Sequence, residues 1–336
     1  MFNQKNKILF SILSFVLIGI FLLNLSLGSV SIPTAEIFKS VMGNEIKSSW
    51  EIILWNFRLP KAITAVFVGM GLSISGLLMQ TLFRNPLAGP YVLGLSSGSS
   101  LGVAFVIMGA GFLPTFLVSD YGIVIASSLG SLFVLMAVLV VSQKLRDTMA
   151  ILIVGLMFGS FTSAIVSVLS YFSTAEELQK FTFWSMGSLA NLSRNSLLIL
   201  VICCSFGLLL SILSIKPLNA LLLGENYAKS MGLNIKKARL LLILATSILA
   251  GSITAFAGPI AFVGLAVPHL SKLIFQTSSH RILFTGTLLI GAIIMLVCDT
   301  VSQMPGFEFT LPINAITSII GAPVVVWLIV SKKSMS

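Results

Sequence analysis

Residues 8–27 read ILFSILSFVLIGIFLLNLSL, an apolar run without one charged side chain. As an α-helix it rises about 30 Å, the thickness of a bilayer's hydrocarbon core. Lys5 and Lys7 precede it, as basic residues precede a signal peptide. The run exceeds the usual signal core of about 7–15 residues and lacks an A-x-A cleavage pattern, so it reads as a retained first helix. The rest of the chain has the same character. Of 336 residues, 57% are hydrophobic and 9% are charged, against about 25% charged in soluble domains. Mean hydropathy is +1.07. A soluble domain of this composition would have nothing to cover its surface with. Disorder is excluded by the apolar content. With 3 Cys and 27 Gly, a disulfide framework and a collagen repeat are excluded too. Cys203, Cys204 and Cys298 read as small apolar residues inside spans.

Further apolar stretches follow, separated by short polar breaks. They predict ten transmembrane helices over 8–28, 61–82, 91–112, 121–142, 149–171, 195–215, 239–257, 259–275, 282–301 and 311–331. The seventh and eighth spans meet only at Gly258-Pro259, where Pro259 suits the first turn of a new helix. Residues 29–60 and 216–238 are too polar to span. The chain is expected to be one all-α, polytopic domain over residues 1–336.

Charge placement sets the orientation. With both termini inside, 14 of the 20 basic residues and two of the ten acidic residues fall on the inner side. The net is +12 inside and −2 outside, a strong positive-inside bias. The formal charge of +10 therefore reads as an orientation code and gives no reason to expect a nucleic-acid partner.

Within the spans, charged residues are almost absent and none falls near the middle: Asp299 is the one acid, near an outer end, while Lys61, Arg239 and Lys272 lie at or near span ends. Proton- and ion-coupled transporters keep such groups at midplane, which argues against a secondary transporter. There is no phosphate loop, no H-E-x-x-H and no G-x-S-x-G, which argues against an ATPase or a membrane-embedded enzyme. His269 and His280 do not suggest a metal site; His269 is expected to hydrogen-bond at a helix end.

Small residues recur at helical spacing: Gly94, Gly98 and Gly102 in the third span, and Gly155, Gly159, Ser163 and Ser167 in the fifth. Such stripes allow helices to approach closely in lipid. They fit packing within one subunit, and the fifth span also fits a subunit interface or a pathway wall. Arg84-Asn85-Pro86-Leu87-Ala88-Gly89-Pro90 forms a proline-bounded inner connection, either a rigid turn or a constriction. Residues 216–238 are basic and amphipathic. Breaks at Gly224-Glu225 and Gly232-Leu233 predict two short helices with a corner, a shape that suits docking a partner better than lying on lipid.

Several of these motifs occur together in one family. Arg58-Leu59-Pro60-Lys61, Gly76-Leu77-Leu78-Met79-Gln80, the 84–90 connection with Leu93-Gly94 and Ser97-Gly98, Leu223-Gly224-Glu225 with Ala228 and Gly232-Leu233, Gly258 to Leu265 with Val267-Pro268-His269, and Asp299-Thr300 with Leu311-Pro312, Thr317 and Gly321-Ala322-Pro323 run nearly end to end. In them the chain resembles the FecCD-type permeases, the membrane subunits of ABC importers for iron–siderophore complexes, haem and vitamin B12. The resemblance implies a type II ABC importer permease fold in the bacterial inner membrane, with both termini cytoplasmic. It implies a dimer of permease subunits, homo- or heteromeric, a cytoplasmic ATPase dimer seated on 216–238, and an extracytoplasmic binding protein. No cofactor is expected in this chain, because ATP binds the partner. Arg58 and Lys61 match positions implicated in docking the binding protein. Asn85, Leu87, Thr148 and Met149 match the inner gate, and Leu223, Gly224, Glu225, Ala228 and Gly232 the ATPase coupling segment. Residues 173–190, with Trp184 and Gly187, match an outer gating helix. Lys61 and Lys272 stand where the family usually has Arg, Gln303 where an Arg is expected, and Asn314 where a Gly is expected. The implied cargo is an iron–siderophore, with vitamin B12 or haem as alternatives.

Overall fold

The computed structural model describes residues 4–112, 114, 119–142, 148–190, 192–304 and 309–333. Helix α1 (Gln4–Ser26) crosses first, and α2 (Thr34–Val41) and α3 (Ser48–Ile53) occupy the polar stretch after it. A π turn at Leu54–Arg58 feeds α4 (Leu59–Leu82). Next come α5 (Leu95–Met108), α6 (Asp120–Ser142), α7 (Thr148–Tyr171), α8 (Ala175–Met186) and α9 (Arg194–Leu213). Two short helices, α10 (Ile215–Leu222) and α11 (Glu225–Ser230), fill the second polar segment. The chain continues through α12 (Ile235–Ala257), α13 (Val263–Phe275), α14 (His280–Ser302) and α15 (Ile313–Lys333). Among the described residues seven helical stretches are long and apolar enough to cross a membrane. Three shorter apolar helices fall on the remaining predicted spans.

Helix α4 is the axis of the bundle, in contact with α9, α12, α13 and α14. Its small residues make that possible. A Cβ on Gly76 would overlap the Gly264 carbonyl of α13, and one on Gly69 would overlap the Gly291 carbonyl of α14. Lipid supplies no hydrophobic drive between helices, so close packing of this kind holds them together. The third-span stripe also packs inside the subunit: Gly98 faces the Gly130 carbonyl and Gly102 the Ala126 carbonyl, both on α6.

Two predicted spans are shorter than expected. The third shrinks from 91–112 to α5, with a 3-10 turn at Pro90–Leu93 ahead of it. The eighth begins at Val263, not at Pro259. At about 1.5 Å per residue, α13 covers about 20 Å and cannot cross alone. The break at 258–262 therefore carries non-helical backbone into the bundle, which is tolerated only where its polar groups are satisfied. The Ile260 N–H donates to the Tyr91 hydroxyl at 3.4 Å, and the Ala261 N–H to Asn314 Oδ1 at 3.0 Å. The Ala257 carbonyl accepts the Ser188 N–H at 3.0 Å. Asn314, which departs from the expected Gly, thus serves as an acceptor for the break.

At the end of the bundle away from Lys5, a polar clasp joins α1, α4 and α14. Lys61 Nζ lies 3.0 Å from Asp299 Oδ1, with the carboxylate side chain 1% exposed. The other carboxylate oxygen accepts from Asn24 at 2.9 Å and from Gln303 at 2.8 Å. Beside it the Arg58 guanidinium is buried and donates to the carbonyls of Leu25 at 2.7 Å, Ser26 at 2.9 Å and Val30. The first two of these carbonyls end α1, where a cation is favourable, and Val30 lies in the stretch that follows it. Breaking a buried ion pair from one side leaves the other charge uncompensated. Lys61→Met is expected to cost about 3 kcal/mol of stability, and adding Asp299→Asn to recover about half of that or more. Thermal unfolding in detergent checks both variants; a double variant no more stable than the single would mean that the pair is not what holds these helix ends.

Candidate functional site

The 84–90 connection lies at the Lys5 end of the bundle, called here the basic face. Thr81 at the end of α4 leads through Phe83 to Arg84, whose φ of +46° turns the chain out of the helix. Asn85 Oδ1 accepts the Leu87 N–H at 2.9 Å and the Asn85 carbonyl accepts the Ala88 N–H at 3.1 Å, a self-capped turn. His269 Nε2 lies 3.0 Å from the Pro86 carbonyl. The histidine expected at a helix end lies within α13 instead, bracing this turn. Leu87 is 49% exposed at the tip. Of the other two expected gate residues, Met149 is exposed at the start of α7. Thr148 opens α7, and its side chain lies outside what the structure describes.

The two polar short helices form the predicted corner. Gly224 (φ +111°) breaks between α10 and α11, and Gly232 (φ +84°) ends the second turn; both values favour glycine. Arg84 Nη2 donates to the Leu221 carbonyl at 2.8 Å. The 84–90 turn is thus bonded directly to the end of α10. Glu225 Oε1 accepts from Arg239 Nη2 at 2.7 Å, which ties α11 to α12. Ala228 is buried and holds the corner from within; it is not placed to touch a partner. Leu222, Leu223, Tyr227 and Met231 are exposed apolar residues here, with Asn226, Lys229 and Ser230 exposed beside them. Leu223 alone among the five expected coupling residues combines exposure with an apolar side chain. In the sequence Arg84 has no role beyond the turn and Asn219, whose side chain accepts from His280, is not singled out, because their partners lie far along the chain.

Among the described residues, helix α7 has a broad exposed face. It packs on α5, with Gly94 set against Gly155 and Gly159, and on α6. Its other side exposes Ile153, Met157, Phe161 and Val168 together with Ser160, Ser163 and Ser167. Ser160 and Ser167 donate back to the carbonyls of Leu156 and Ser163. The fifth-span stripe therefore divides, its glycines turned to packing and its serines to the open face. No charged residue occurs between Thr148 and Tyr171.

At the opposite end, α8 starts on a capping box: Thr174 Oγ1 accepts the Glu177 N–H, and Glu177 accepts the Thr174 N–H. It ends at Gly187, packed against the 258–262 break. A cavity of about 220 Å³ lies below, lined by Lys61, Asp299, Phe183, Met186, Ser188 and Ser302 among others. The docking role expected of Arg58 does not fit its position, because the guanidinium is spent inside the chain on three carbonyls. Lys61 keeps a small opening to the cavity. Gln303, which replaces an expected cation, donates to Asp299 and so belongs to the clasp.

Comparison with known proteins agrees with this arrangement. Residues 16–331 match the FecCD transport family. The chain is 35% identical to the hemin transport system permease protein HmuU of Yersinia pestis, over 94% of each chain. It is 34% identical to the vitamin B12 import system permease protein BtuC of Salmonella typhi, over 85% of this chain and 86% of that one. A solved structure of a metal-chelate type ABC transporter in an inward-facing conformation superposes with a TM-score of 0.84 at 32% identity, covering 96% of this chain and 99% of the other. Relatives of this kind are permease subunits, and ATP hydrolysis belongs to a separate subunit. The chain belongs to the FecCD transport family, as the permease subunit of an ABC importer of the metal-chelate, haem and vitamin B12 class.

Proposed function

We propose that this permease passes an iron–siderophore chelate inward across the bacterial inner membrane, with its basic face in the cytoplasm. The observation that supports a bulky chelate over a bare ion is the open face of α7, apolar, dotted with hydroxyls and free of charge. Such a wall holds a large cargo weakly, and weak binding is what lets a transported molecule leave. The energy then comes from outside the chain, by ATP bound to a partner dimer. A second permease copy completes the pathway against α7. A binding protein delivers the chelate at the end where α8 and the outer cavity lie, with Lys61 at the rim. Asn85, Leu87, Thr148 and Met149 close the cytoplasmic mouth. Haem is the second reading, favoured by the similarity to a hemin permease along nearly the whole chain. The complex with its ATPase and binding protein, reconstituted in vesicles, is expected to accumulate a ferric trihydroxamate in an ATP-dependent manner and to leave haem outside. Haem uptake without trihydroxamate uptake would overturn the siderophore assignment.

The ATPase docks on the apolar knuckle of α10 and α11, with Leu223 and Met231 at its centre. Exposed apolar side chains at an interface core carry much of its affinity. Leu223→Ala with Met231→Ala is expected to lower co-purification of the ATPase and ATP-driven uptake about ten-fold. The melting temperature of the isolated permease should stay put, because both side chains are exposed. Full retention of the ATPase by this variant would place the dock elsewhere.

A further inference from the structure

Beyond the packing of α10 against α4, Arg84 ties the α10–α11 knuckle to the end of α4 by a hydrogen bond, and a further route runs through a buried histidine. His280, the first residue of α14, is 1% exposed. Asn219 Oδ1, on α10, accepts the His280 backbone N–H at 2.9 Å and lies 3.0 Å from His280 Nδ1. A carbonyl oxygen cannot donate, so Nδ1 must carry a proton. In the neutral ring that leaves Nε2 as an acceptor. Its partner is the Thr81 hydroxyl on α4, at 2.9 Å. Thr81 Oγ1 also lies 2.8 Å from the Leu77 carbonyl, so one hydroxyl proton serves two acceptors. Three elements far apart in sequence thus meet on one imidazole: the proposed dock, the start of α14 and the last turn of α4. Thr81 stands three residues before Arg84 and four before Asn85, so what moves Thr81 moves the mouth.

We propose that His280 is a positioning residue that passes displacement of the α10–α11 knuckle to α4, with Asn219 and Thr81 as its two contacts. The inference rests on reading that knuckle as the ATPase dock. The relay works because an imidazole is rigid: Nδ1 and Nε2 are fixed in one planar ring with diverging directions, so a push on one contact reaches the other without slack between the two nitrogens. Together with the Arg84–Leu221 bond it gives α10 two points of purchase on the mouth, which resists rotation of α10 where a single bond would act as a hinge.

Single changes cut each contact separately. His280→Asn keeps a donor near the Nδ1 position and removes the reach to Thr81. Thr81→Val removes the hydroxyl at nearly constant volume, and Thr81→Ser keeps it. In the full complex with its ATPase and binding protein, His280→Asn and Thr81→Val are each expected to bind the ATPase as the parent does and to hydrolyse ATP within about two-fold of its rate. Cargo moved per ATP should fall about ten-fold, within the range of coupling changes along packed networks. Thr81→Ser should restore it, and the double variant should be no worse than either single. A merely structural role would lower complex yield, hydrolysis and uptake together, and that pattern would overturn the proposal. So would parental transport per ATP in both single variants. A second readout needs no cargo: labelling of Leu87→Cys by a thiol reagent should respond to ATP in the parent and not in Thr81→Val, and an equal response in both also overturns the relay. Failure of the dock reading looks different, since it shows as ATPase retention by the Leu223/Met231 variant whatever happens at His280.

Discussion

Among the described glycines, none has less room for a side chain than Gly76, where α4 meets α13 with nothing but hydrogen between it and the Gly264 carbonyl. In lipid this kind of approach takes the place of a hydrophobic core. It seats α4 so deeply that α9, α12, α13 and α14 all touch it. Everything functional then hangs from its two ends. At one end stand Arg58 and Lys61, which fix α1 and α14. At the other stand Thr81 and Arg84, which reach α14 and the α10–α11 knuckle. A helix clasped at one end and levered at the other is a mechanical element, and the sites at the two faces are its attachments. The contrast in what surrounds these ends is informative. The clasp is a charged pair with every carboxylate oxygen occupied, which resists opening. Among the described residues the lever end of α4 holds no ion pair: Arg84 donates to the Leu221 carbonyl, and the Thr81 hydroxyl shares its proton between two neutral acceptors.

The helices themselves were legible because lipid imposes a simple rule: a run of about 20 apolar residues must be a helix. Hence the seven long spans and the corner at Gly224 and Gly232 follow from composition and from where glycine allows a turn. Short spans obey a weaker signal. Residues 258–262 are apolar enough to count as membrane, yet their backbone is satisfied by Tyr91 and Asn314 from elsewhere in the chain. No local pattern announces that. The ion pair of Lys61 with Asp299 and the Thr81–His280–Asn219 node escape for the same reason, since their members lie far apart in sequence. Arg58 shows the converse failure. The family resemblance matched Arg58 to a docking position, but the carbonyls at the end of α1 hold its guanidinium inside the chain. The glycine stripes were ambiguous by spacing alone, and packing resolves them: the third span's faces α6, while the fifth span's turns its serines to the open side.

The scarcity of charge, which first excluded a soluble domain, also explains how labour is divided in this importer. Relatives in this family leave ATP hydrolysis to a separate subunit, and on the reading proposed above the work enters mechanically at the basic face. The structure offers a short route for it, from the exposed leucines of the knuckle through Arg84 and His280 to the Asn85–Leu87 turn. The central claim is that the knuckle and the mouth move as one body. Spin labels at Met231 and Leu87, both exposed on that face, allow their separation to be measured by pulsed dipolar spectroscopy in the assembled importer. With and without ATP on the partner, the 231–87 distance is predicted to stay constant while the distance from residue 87 to a label at Phe183, on the opposite face, changes. A 231–87 distance that shifts with nucleotide while the 87–183 distance holds would contradict the account.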